Sequence, residues 1–76
     1  MPVYYFNVRG EAFDLPDLTG RQCRDEAAAR AEAERLAGDI IANALVAGKL
    51  PVDATIEVDD EELRPIMALP VYEVRG

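Results

Sequence analysis

Seventy-six residues, half of them apolar and 30% charged, have the balance of one soluble globular domain with a single core. Fifteen acids against eight bases give a net charge of −7 and a pI near 4.3, which repels phosphate backbones and anionic headgroups and argues against nucleic acid and membrane partners. The chain has no histidine, and its one cysteine, Cys23, closes no intramolecular disulfide, builds no cysteine-rich metal site and lacks the usual imidazole base for a catalytic thiol.

The first strand is Val3-Tyr4-Tyr5-Phe6-Asn7-Val8, rich in aromatic and β-branched residues. Period-2 counting puts Tyr4, Phe6 and Val8 on one face and Val3, Tyr5 and Asn7 on the other. Arg9-Gly10-Glu11 turns the chain, and residues 12–17 return as a short second strand carrying Phe13 and Leu15. Pro16 has no N–H to give a ladder, so this strand belongs at an edge or a bulge. Leu18-Thr19-Gly20-Arg21 reads as a turn and Cys23 as a small packing residue before a helix.

Asp25 is the expected N-cap of a long helix over residues 26–47, with Glu26 at its positive end and Gly48 as the stop. Glu26 with Arg30 and Glu32 with Arg35 are spaced to pair on its outer face. On a helical wheel Ala29, Ala33, Leu36, Ala37, Ile40 and Ala44 form the stripe for a sheet, while Ile41 and Leu45 widen the apolar arc to about 180°, beyond the ~100° one sheet requires. About 22 residues at 1.5 Å span roughly 33 Å against about 20 Å for a six-residue strand, so the helix overhangs its sheet.

Residues 49–53 are the crossing loop, and Thr55-Ile56-Glu57-Val58-Asp59 alternates as the third strand with Ile56 and Val58 inward. Asp60-Glu61-Glu62 turns into a fourth strand, residues 64–69, apolar on both faces, and residues 70–74 either prolong it or leave as a tail. The expected class is α+β: β-β-α-β-β, a four-stranded antiparallel sheet with one long helix on one face. A right-handed crossover gives the spatial order second, first, third, fourth; the order second, first, fourth, third stays open, since it would bury the fourth strand's two apolar faces.

Candidate chemistry is sparse. Four consecutive carboxylates, Asp59 to Glu62, invite a hard cation, yet they lack the alternating spacing and central glycine of a calcium loop and read as a solvated hairpin turn. Asp14 and Asp17, with Asp25 near them in sequence, come with no substrate motif, and the dispersed glycines form no phosphate-cradling loop. No catalytic residue, cofactor or metal ligand is therefore assigned.

The stretches Met1-Pro2-Val3-Tyr4-Tyr5-Phe6-Asn7-Val8-Arg9, Asp25-Glu26-Ala27-Ala28-Ala29-Arg30-Ala31-Glu32-Ala33 and Ile56-Glu57-Val58-Asp59-Asp60 resemble a family of small bacterial proteins of unknown function, common in alphaproteobacteria. Its members are similar to M-P-x-Y-[FY]-F-x-x-R, then D-x-E-A-A-R-A-E-A, then I-E-V-x-D. They often carry a histidine after the aromatic strand, where this chain has Asn7, so no role of that ring carries over. The resemblance implies a bacterial cytoplasmic setting, and nothing in the chain reads as a signal peptide or membrane span.

A domain this small buries only about 60–65% of its unfolded surface, and a second subunit would help it. The expected function is that of a non-enzymatic interaction module that forms a homodimer, with Val3, Tyr5, Ile41, Leu45, Met67 and Leu69 as contact candidates on the open sheet face, the fourth strand and the helix overhang. The part after Gly38 carries eight of the fifteen acids and three of the eight bases, which would steer a basic protein partner there. The alternative is a small-ligand or divalent-metal domain using the open face or the acidic turn.

Overall fold

A computed structural model of the chain describes residues 1–11, 13–48 and 53–71. The crossing loop at 49–52 and the tail at 72–76 lie outside the described residues. The elements are β1 (Val3–Gly10), β2 (Phe13–Leu15), β3 (Arg21–Gln22), α1 (Glu26–Ala47), β4 (Thr55–Asp59) and β5 (Pro65–Pro70). All the pairings are antiparallel, in the order β2-β1-β4-β5, with β3 also paired to β1. The α+β class and the first of the two strand orders are borne out. The fifth strand, β3, is new: the expected second strand stops at Leu15, and the chain meets β1 again only at Arg21.

Helix α1 starts where its cap predicts, the Ala28 N–H donating to Asp25 Oδ1 at 2.9 Å, and Gly48 follows it at a φ of 76° that favours glycine. The expected Glu32–Arg35 pair forms, whereas Arg30 pairs forward with Glu34. Ala29, Ala33, Ala37 and Ile41 make a line of fourfold spacing buried against the sheet, with Leu36 and Ile40 half-buried beside it. From Ala29 to Ile41 the helix rises about 18 Å, close to the ~17 Å length of a five-residue strand such as β4, and Ala42 and Asn43 beyond it are exposed. The small alanines let the helix lie close on the sheet, so the core is made mainly by Tyr4, Phe6, Ile56, Val58 and Leu69 beneath them.

The registers Phe6 with Val58, Val8 with Ile56, Val58 with Met67 and Ile56 with Leu69 put all these residues on the helix side. Two of the candidate contact residues lie within the core, Leu69 at 3% exposed and Ile41 at 9%. Met67 also faces the core, half-buried. The opposite face carries Val3, Tyr5, Asn7 and Arg9 from β1, Thr55, Glu57 and Asp59 from β4, and Ala68 from β5. That face is polar at its centre rather than apolar, with Arg9 bridging Asp14 at 3.3 Å and Glu57 at 3.2 Å.

The free edge of β5 is a poor place for strand addition. The Val71 N–H donates to the Ala54 carbonyl, which by alternation turns Leu69 and Met67 towards β4 and Ala68 and Pro70 outward. Pro70 has no donor to offer, and Pro65 and a register shift at Val58/Asp59 interrupt the other end.

Candidate functional site: a strap across the first strand and the groove beside it

Between β2 and β3 the residues Pro16–Gly20 leave the ladder and cross the edge of β1 as a strap. Pro16 ends the pairing, and Phe6, which turns its backbone towards this edge, loses its strand partner. Asp17 fills the vacancy: its Oδ2 accepts the Phe6 N–H at 3.0 Å, and its Oδ1 accepts the N–H groups of Thr19 and Gly20 and the Thr19 hydroxyl. Burial alone would push this carboxyl up; the donors from Gly20, Phe6 and Thr19 outweigh it and hold Asp17 below the usual carboxylate range.

The strap is tied to the open face by Asn7, which is only 6% exposed. Its Oδ1 accepts the Asp17 N–H at 2.8 Å, while Nδ2 donates to the Glu57 carbonyl and to Asp59 Oδ2. One amide thus joins the strap to β1 and β4, and each of its polar atoms has a partner. Gly20 closes the strap at a φ of 76°, where a Cβ would stand 2.5 Å from Val3 Cγ1 and 3.0 Å from Tyr5 Cε1. Val3 and Tyr5 are therefore half-buried beneath the chain's own strap. Leu18, at the strap's tip, is 86% exposed.

On the helix side the strap borders a groove of about 280 Å³. Phe6 and Val8 line its sheet side, with Leu36 of α1 and Leu15 and Pro16 of the strap edge around them; Asp17, Thr19 and Arg21 are its polar members. Arg21 is bonded to Glu32, which also binds Arg35, and Arg35 reaches Asp39 at 2.8 Å. The bond from Arg35 is the main reason Glu32 sits below its ordinary pKa, and Glu32 in turn raises that of Arg35. A second hollow, of about 550 Å³, lies at the start of α1 between Met1, Arg21, Cys23, Arg24, Ala28 and Glu32. Burial, then the charge of Glu32, pushes the Cys23 thiol up, so it stays protonated at neutral pH.

The three aspartates that a sequence reader would group are separated by the fold: Asp14 pairs with Arg9, Asp17 holds the strap and Asp25 caps α1. Among the described residues no group of three or more Cys, Asp or Glu is arranged to hold a metal ion. In the β4–β5 turn Asp60 Oδ1 accepts the N–H groups of Glu62 and Arg64, and Oδ2 accepts Arg64 Nε. The donation from Arg64 is the main cause of Asp60's lowered pKa. The same turn holds Leu63, 65% exposed, at a φ of 65°.

Of the sequence's contact candidates, Val3 and Tyr5 sit together under the strap, Met67 and Leu69 lie across the sheet on the helix side, Ile41 is in the helix interface, and the Leu45 side chain lies outside the described residues. Sequence reasoning missed Asp17, Asn7 and Gly20 as a unit. The signal was Asp17-Leu18-Thr19-Gly20, an aspartate two and three residues before the N–H groups it captures, ending in a glycine.

An antiparallel sheet under one alanine-faced helix, its edge closed by a carboxylate-held strap, defines a small α+β module. The chain belongs to the family described as Domain of unknown function (DUF6894), whose model matches residues 3–72. No curated protein and no solved structure matches it.

Proposed function

We propose that the protein is a non-enzymatic interaction module of the bacterial cytoplasm that self-associates as a homodimer through the strap tip and the β1 residues beside it. The observation that carries this reading is Leu18, 86% exposed on a strap held by bonds from Phe6, Thr19 and Gly20. A large apolar side chain on a rigid, pre-formed loop loses little entropy when it enters a contact. Val3 and Tyr5, in van der Waals range of Gly20 in the same strap, add half-buried apolar surface. Among the described residues the carboxylates held below their ordinary pKa, Asp17, Glu32 and Asp60, all have structural partners, which supports a binding role over a catalytic one. The excess of acids favours a basic surface on any further protein partner.

Leu18→Glu tests the reading. It touches no bond of the strap, so the melting temperature should stay within a few degrees of wild type while the dimer dissociation constant rises at least tenfold in sedimentation equilibrium. An unchanged dimer would place the contact elsewhere.

A further inference from the structure

We propose that the groove between α1 and the strap is a binding site for a short aliphatic ammonium, with its chain on Phe6, Val8, Leu15 and Leu36 and its charge at Asp17. The site goes beyond self-association, since Leu18 is not among the groove's residues. Three observations lead to this ligand class.

The first is shape and polarity. About 280 Å³ is the share of roughly nine waters at ~30 Å³ each, room for a chain of about six heavy atoms with solvent at the mouth, and the lining is mostly apolar. The second is charge. Arg21, the cation of the lining, is already bonded to Glu32 in a run of pairs with Arg35 and Asp39 that sums to zero, whereas Asp17, the acid of the lining, has no cationic partner among the described residues. Among the described residues Asp17 Oδ2 accepts one bond, from Phe6, and a carboxylate oxygen has two lone pairs, so one remains for a ligand N–H.

The third observation weighs against an anion. The strap's N–H groups at Thr19 and Gly20, and the Phe6 N–H beneath, all donate to Asp17, which leaves an incoming carboxylate or phosphate facing a negative charge without these donors. The net charge of −7 raises the local concentration of cations and lowers that of anions. Asp17 is held in its ionised form by the same bonds, so it carries this charge at neutral pH.

The test is an amide NMR titration of the full chain with n-butylammonium, alongside methylammonium and n-butyrate. Butylammonium at tens of millimolar should shift the amides of Phe6, Val8, Thr19, Gly20 and Leu36 saturably. Methylammonium, which has the charge without the chain, should bind at least fivefold more weakly, and butyrate should leave those amides in place. Asp17→Asn should abolish the shifts; should that variant unfold, Leu15→Ser, at a side chain already 60% exposed, should weaken binding several-fold in a folded protein. Groove amides that ignore butylammonium, or that move equally with butyrate, would overturn the site. Neither result bears on the dimer, which is read separately by sedimentation.

Discussion

Gly20, Asp17 and Leu63 each hold a conformation that a different side chain would not tolerate equally. Gly20→Ala combines a left-handed backbone with a Cβ 2.5 Å from Val3 Cγ1, and should cost about 2–4 kcal/mol in denaturant unfolding. Leu63 has the opposite problem, a bulky residue in the left-handed region with little burial in return, so Leu63→Asn should raise stability by about 0.5–1 kcal/mol. A lower denaturant midpoint would mean that Leu63 packs in solution. Asp17 and Asp60 have folded pKa values below their ordinary ones, so the stability they contribute is complete above the unfolded carboxyl value near 4 and is lost as pH falls through the lower folded values. Stability should thus drop steeply below about pH 4, and Asp17→Asn should be less stable at neutral pH but lose less on acidification. The roles of Gly20 and Asp17 were hard to read from the sequence because both depend on distant chain: Asp17 looked like a spare acid until the unpaired Phe6 N–H gave it a partner 11 residues away.

At the scale of elements, the helix was legible to its ends, since its signals are local: a capping aspartate, a fourfold apolar spacing and a glycine stop. The wheel misjudged only its C-terminal half, where Ile41 rather than Ile40 is the more deeply buried. A 100° wheel cannot tell which of two adjacent isoleucines a twisted sheet will meet. The buried alanines make a checkable claim about close packing: Ala33→Leu should destabilise by about 1–3 kcal/mol, while Ala31→Leu, on the exposed face, should change stability by less than ~0.5 kcal/mol. Equal effects of the two would mean that the helix rides higher on the sheet. The second strand was less legible. Pro16 announced an interruption, but only the partner strand's register decides that the chain returns as β3.

At the scale of the whole molecule, the two faces of the sheet do different work. The helix face is filled, and the opposite face is polar along β4 and on Asn7 and Arg9, where a single-helix cover suggested open apolar surface. Alternation in β4 alone, Thr55-Ile56-Glu57-Val58-Asp59, already carried that information, and the aromatic run of β1 distracted from it. Leu15 and Leu18 stand exposed at the strapped edge of β1 and Met1 just before its start, and the β5 edge is blunted by prolines. Self-association through the strap is the central claim, and sedimentation velocity of the wild-type chain from ~1 to ~100 μM tests it most directly. A mass rising with concentration to twice 8.3 kDa is expected; a single 8.3 kDa species throughout that range would rule the dimer out.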